Sequence, residues 1–134
     1  MDCIFCKIIA GGIPSSKVYE DDDFYAFLDI NPVNKGHTLV IPKKHCRALL
    51  DFPVELETKM MEVLKKVAKA VKEATEADGF NITMNNEPAA GQAVFHAHFH
   101  IIPRFHGENQ IRWAHVPYDE GEMDILREDI AKNL

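Results

Sequence analysis

The chain has 134 residues, 46% hydrophobic and 27% charged, with a formal net charge of -6 and three cysteines. That length suits one domain with a real core, and the acidic balance argues against a nucleic-acid duplex as the main partner, because such a surface needs a basic footprint. No apolar run reaches the roughly 18 residues of a membrane span, the Met1-Asp2-Cys3 start shows no export signal, and the odd cysteine count suits a reducing compartment, so a cytoplasmic protein is expected.

The run Cys3-Ile4-Phe5-Cys6-Lys7-Ile8-Ile9 has apolar residues at helical spacing and ends at Gly11-Gly12, which predicts a short helix closed by glycine. Its Cys-x-x-Cys pair fits two idle thiols, a redox pair or half of a zinc site. A redox pair wants a preceding strand and a longer helix, and a tetrahedral zinc wants two more ligands. Cys46 reads as a buried thiol. Lys17-Val18-Tyr19-Glu20 and Phe24-Tyr25-Ala26-Phe27-Leu28 predict a hairpin whose acidic turn is Asp21-Asp22-Asp23. Asp29 then caps a turn before Asn31-Pro32. A third strand is expected over His37 to Pro42, after Gly36. Lys43 and Lys44 form a solvated basic step.

From Asp51 to Asp78 the pattern becomes helical. Leu56, Met60, Met61, Val63, Leu64, Val67, Val71 and Ala74 form the apolar stripe, Asp51 the cap, Pro53 the first turn and Gly79 the stop. Phe80 to Asn85 alternates as a half-buried strand, and Asn86 to Gln92 is a loop. Phe105 to Pro117 reads as an irregular tail before a short amphipathic helix carrying Met123, Ile125, Leu126 and Ile130. His106 and His115 have no constellation around them and read as surface residues.

Between these segments lies Gly91 to Pro103, in which His96, His98 and His100 alternate with Ala97, Phe99 and Ile101. Strand geometry puts the histidines on one face, and Pro103 is expected to stop the strand. Imidazoles pack worse than Val or Leu, and each ring nitrogen needs a partner when buried. A metal site and nucleophilic catalysis by one neutral histidine both suit such a row.

These segments resemble the histidine triad (HIT) family of nucleotide hydrolases and transferases. His96-Ala97-His98-Phe99-His100-Ile101-Ile102 is similar to the family's His-x-His-x-His-x-x signature. Cys3 to Ile9, Phe27 to Pro32, Gly36 to His45 and Asn85-Asn86-Glu87 follow in the family's order, so that the likeness spans roughly Asp2 to Arg104. It implies an α+β fold with an antiparallel five-stranded sheet, one long helix, a short N-terminal helix and a C-terminal helix. It also implies a HIT domain over residues 1–104, a tail over 105–134 within the same single domain, and a homodimer built on the long helix and the next strand.

The implied chemistry is hydrolysis or transfer at the α-phosphate of purine nucleoside 5'-monophosphate derivatives, through a nucleotidyl-histidine intermediate on His98. By the same resemblance His100, His37 and Gln92 assist, and Ile4, Phe5, Ile8, Phe27, Ile30 and Leu39 form the purine slot. Asp29 holds the ribose hydroxyls, and Asn86 and Gln92 meet the phosphate beside His98 and His100. Cys3, Cys6, His45 and His96 hold a structural zinc, with no catalytic cofactor. The tail, through Arg112 or Trp113, reaches a partner's active site. One residue departs from the pattern: Ala93 stands where the phosphoramidase branch commonly has serine, which puts a preference for P–N substrates in doubt. Two rivals stay open, a nucleotide-binding or interaction module with little turnover and a metalloenzyme using all three histidines as ligands.

Overall fold

The computed structural model describes residues 2–108 and 114–134. Arg112 and Trp113 lie outside the described residues. Helix α1 (Ile4–Ile9) precedes strands β1 (Lys17–Glu20), β2 (Phe24–Leu28) and β3 (Thr38–Pro42). The long helix α2 (Glu57–Thr75), strands β4 (Gly79–Thr83) and β5 (Phe99–Arg104) and helix α3 (Glu122–Lys132) follow. The five strands form one antiparallel sheet in the order β1-β2-β3-β5-β4. This is the α+β architecture expected. Among the described residues no helix is long and apolar enough to cross a membrane.

Strand alternation divides the interior in two. Phe24, Ala26, Val40 and Ile101 face α2, whose Met60, Val63, Leu64, Val67, Ala68 and Val71 complete the larger cluster. Tyr25, Phe27, Leu39 and Ile41 face the other way and pack against Cys3, Phe5 and Ile8 of the α1 segment. Leu39 pairs with His100, so His100 belongs to the α1 side of the sheet.

Several boundaries differ from expectation, each for a physical reason. The histidine row is not one strand. β5 begins at Phe99, because His96 and Ala97 bond to the end of β3 and the following segment instead: His96 Nε2 donates to the Pro42 carbonyl at 2.7 Å, and Ala97 N donates to the Cys46 carbonyl at 2.8 Å. Pro103 sits inside β5, one residue before its end. Its carbonyl accepts from Asn34 Nδ2 at 2.8 Å, past the last β3 partner, so the missing N–H costs no ladder bond. Asp51 does not cap α2; it accepts from the Arg47 and Ala48 amides in a preceding turn. The helix ends at Thr75 with Glu76 in the left-handed region (φ 56°), before Gly79, which starts β4. Met61 is 62% exposed and Ala74 is also on the outer face, so neither is core. β4 is an edge strand whose Phe80 and Ile82 are 39% and 43% exposed.

The loop from β2 to β3 is pinned at Gly36. Its φ is 98°, and a Cβ there would stand 2.6 Å from Thr75 Cγ2 at the end of α2. Gly36→Ala is expected to lower the unfolding free energy by about 1–3 kcal/mol in urea titrations. Thr75→Ser in the same chain removes the clashing methyl and keeps the 2.7 Å bond to the Val71 carbonyl, so it should restore part of the loss and leave the backbone strain.

Candidate functional site

The α1 side of the sheet holds a cavity of about 430 Å³. Ile4, Phe5, Ile8, Phe27 and Leu39 form its apolar wall, Ile30 stands exposed at the rim, and Asp29, His98 and His100 supply polar groups. Asp29 closes β2, where its Oδ1 accepts from Asn31 N at 2.8 Å.

The protons in this site are ordered by bonds that allow only one direction. Val33 N donates to His37 Nδ1 at 3.0 Å, and a backbone amide can only donate. His37 therefore carries its proton on Nε2 and gives it to His100 Nδ1 at 2.9 Å. That leaves the proton of neutral His100 on Nε2, a buried atom without a partner among the described residues. His98 is set the opposite way: its Nδ1 donates to the His96 carbonyl at 2.7 Å, so its Nε2 keeps a lone pair. The His98 and His100 rings are 5.1 Å apart. Burial first, then the neighbouring His98 and His37 rings, push His100 down to about 4. Burial also lowers His37, partly offset by the Asp29 carboxylate. A ring nitrogen lone pair and a neutral N–H thus sit side by side, the pairing needed to attack a centre and hold its oxygens.

Cys3 Sγ and Cys6 Sγ lie 3.5 and 3.6 Å from His96 Nδ1, His45 Nδ1 lies 3.5 Å from Cys6 Sγ, and the two Nδ1 atoms are 3.2 Å apart. A tetrahedral zinc with ordinary bond lengths has S–N edges of about 3.6 Å and N–N edges of about 3.3 Å. The four donors fit that ion. His96, fully buried, donates Nε2–H to the Pro42 carbonyl, which leaves Nδ1 as the acceptor a metal needs. Burial and the adjacent Cys3 raise the Cys6 thiol, so a cation between the sulfurs relieves both. Cys46 points elsewhere and is a buried thiol, pushed up to about 11 by that burial.

Asp29, His37 and His100 also bring three possible donors within 4.8 Å of one another. They do not form a metal cage, because the Val33 amide keeps the proton on His37 Nε2, the atom that would have to ligate. Nor do the three alternating histidines converge on an ion: His96 Nδ1 faces the thiols, while His98 and His100 bond to a carbonyl and to His37. That geometry contradicts the three-histidine metalloenzyme.

Gln92 and Asn86 are placed differently from expectation. Both Gln92 amide hydrogens are used, on the Arg47 and Val94 carbonyls, and its oxygen accepts from Glu87 N. Asn86 Oδ1 accepts from Leu49 N, and neither residue lines the cavity. His37 acts from behind His100 and does not line it either. Asn85 and Gly91 do line it. The signal that would have found Asn85 is strand parity: Thr83 pairs with His100, so Asn85 continues on the histidine side and Asn86 on the other.

A HIT domain is matched over residues 10–107. Protein hit of Bacillus subtilis is 46% identical over 137 aligned residues, covering 99% of this chain and 94% of that protein. Adenosine 5'-monophosphoramidase HNT1 of Saccharomyces cerevisiae is 49% identical, covering 98% and 82%. Adenylylsulfatase HINT3 of Arabidopsis thaliana is 45% identical, covering 84% of this chain and 56% of that one. Among solved structures, a HIT family member from Bacillus subtilis superposes with a TM-score of 0.89 at 45% identity, covering 100% and 98%. A zinc-bound histidine triad family protein from Mycobacterium smegmatis superposes with a TM-score of 0.77 at 41% identity, covering 99% and 96%. The match to the domain spans most of the chain, and the likeness extends over nearly whole relatives: the chain belongs to the histidine triad (HIT) family.

Proposed function

We propose that the protein hydrolyses, or transfers from, purine nucleoside 5'-monophosphate derivatives at the α-phosphorus, with His98 as nucleophile. The observation that carries this reading is the 2.7 Å bond from His98 Nδ1 to its neighbour's carbonyl, which puts the lone pair of the neutral ring on Nε2, beside the Nε2–H of His100. The family supports nucleotide hydrolysis in general, through relatives named for adenosine 5'-monophosphoramidase and adenylylsulfatase activity.

The purine lies between Ile4, Phe5, Ile8, Phe27, Ile30 and Leu39, and the Asp29 carboxylate accepts the ribose hydroxyls. His98 Nε2 attacks phosphorus; a P–N bond forms as the bond to the leaving group breaks. His100 Nε2–H and Asn85 Nδ2 hold the phosphoryl oxygens. Water then attacks phosphorus and gives up a proton to solvent, the P–N bond breaks, and His98 Nε2 regains its lone pair. His37 fixes the tautomer of His100, while Gln92 and Asn86 hold the loop that carries Gly91. Ala93 lines the cavity and has no hydroxyl to pass a proton to a leaving amine, which favours leaving groups that depart as anions.

Cys3, Cys6, His45 and His96 would hold a structural zinc, supported by the tetrahedral spacing of their donors. The ion would tie α1 to the sheet and supply no step of the reaction. Residence in the cytoplasm belongs to the same reading, since all three cysteines are free of disulfides. A homodimer through α2 and β4 is supported by the edge position of β4 and by Phe80 and Ile82, 39% and 43% exposed on the α2 face of the sheet.

With a radiolabelled adenylate, wild type is expected to carry an acid-labile label. His98→Ala should carry none and lose at least about a thousandfold in turnover, the scale seen when nucleophiles are removed. The same variant should keep its zinc by metal analysis, whereas Cys3→Ala should lose it; label on His98→Ala sinks the covalent reading.

His100 titrates near 4 folded and near its ordinary 6.5 unfolded. Between those values the unfolded chain binds the extra proton, so stability falls as pH drops from about 6.5 to 4 and is fully present above 6.5. His100→Gln should flatten that limb by up to about 1.4 kcal/mol per pH unit, read from urea titrations at each pH. An unchanged slope would mean that His100 is not held neutral.

Phe80→Lys places a charge on the open edge and should convert a sedimenting dimer into monomer. A wild-type protein already monomeric at micromolar concentration removes the dimer.

A further inference from the structure

The metal centre and the nucleotide cavity share parts. His96 turns its Nδ1 to the thiols of Cys3 and Cys6 and its own backbone carbonyl to His98 Nδ1. Its ring is held on the far side by the Pro42 carbonyl, and the next amide, Ala97 N, is held by the carbonyl of Cys46, the residue after His45. The peptide that orients His98 is thus fixed from both ends by groups belonging to, or adjoining, the centre.

A second connection runs through α1. This helix has six residues, well short of the dozen or so needed to persist alone. Cys3 and Cys6 bracket Ile4 and Phe5, two residues of the cavity wall. The Phe5 ring meets His98 edge-on at 5.2 Å, His96 at 5.9 Å and Phe27 at 5.5 Å. Any slackening of the cysteines would therefore move the aromatic wall of the slot and the ring packed against the His98 nucleophile.

We infer that the Cys3–Cys6–His45–His96 centre and the cavity are thermodynamically linked, with His96 and Phe5 as positioning residues for His98 and the purine slot. The inference rests on the nucleotide reading above. It gives the centre a role beyond holding the fold: filling it raises affinity for a nucleoside monophosphate. Linkage then requires that the nucleotide raise affinity for the metal by the same factor.

The test measures both affinities on the full chain. AMP binding is followed by calorimetry on zinc-loaded and zinc-stripped protein, and zinc binding by competition with a chromophoric chelator, with and without saturating AMP. The expected result is AMP bound about tenfold more tightly by the loaded form, with zinc affinity rising by the same factor when AMP is present, within the usual range of coupling between sites. Equal AMP affinity in the two forms, or zinc affinity indifferent to AMP, overturns the linkage and leaves the nucleotide reading standing. Failure of AMP to bind the loaded protein overturns both.

Stripped protein that unfolds would mimic coupling, so a second measurement keeps the metal in place. Cobalt(II) is loaded into the centre, where two thiolates and two imidazoles give it a visible spectrum, and AMP is titrated in. A spectral shift that saturates along the AMP binding curve supports the linkage. A spectrum unmoved at full AMP occupancy overturns it, because a merely structural centre would not sense the cavity.

Discussion

The site depends on a hydrogen bond inside three residues, from His98 Nδ1 to the carbonyl of His96 at 2.7 Å. A carbonyl can only accept, so the bond decides which nitrogen of His98 is free. A parallel constraint decides His100: the Val33 amide can only donate, and two steps later the His100 proton is on Nε2. Burial keeps His100 neutral, pushed down to about 4, so it offers a proton without carrying charge. Two chemically identical side chains become an electron-pair donor and a hydrogen-bond donor through their second bonds alone.

The fold makes this possible by giving each face of the sheet a separate task. The face under α2 is packed with aliphatic and aromatic side chains and carries most of the core. Among the described residues the opposite face is covered by the short α1 segment with Ile13 and Val94, which leaves room for a cavity with the histidines at its floor. Departure of His96 and Ala97 from the ladder serves the same end. A peptide paired with β3 would spend its carbonyl on the sheet; bent away, it is available to His98.

The period of two in residues 96–102 was legible in the sequence, and with it the shared side of the histidines and the burial of Ala97 and Ile101 on the other. What alternation could not supply was where pairing stops, because that depends on the β3–β5 ladder ending at the Val40–Phe99 pair and on carbonyls that only the folded chain brings near. The ends of α2 depart from the sequence pattern for a related reason. Asp51 and Gly79 are good cap residues by type, but Asp51 is used by an earlier turn and Glu76 takes the left-handed position before glycine is reached. Asn86 and Gln92 carry the right amides, yet loop geometry turns both inward and presents Asn85. Residue type was readable, whereas direction required register. Cys3 and Cys6 by themselves read only as half of a possible site, and His45 and His96 were implied by the family resemblance; the fold brings one donor atom of each within 4.8 Å of the others.

Two adjacent members of one row, His96 and His98, have the same side chain and yet only one is offered to a metal. Exposure does not sort them, since both are buried. Their hydrogen bonds do. For His96 the Pro42 carbonyl takes the Nε2 proton, leaving Nδ1 beside two sulfurs and the His45 nitrogen. For His98 a carbonyl takes the Nδ1 proton, and the free Nε2 has no thiol or carboxylate bonded to it among the described residues. A cation that prefers mixed sulfur and nitrogen ligands finds a full set at the first ring and a single nitrogen at the second. Among the described residues the set of four possible donors is complete at His96, while His98, two residues along the same backbone, brings a single free nitrogen.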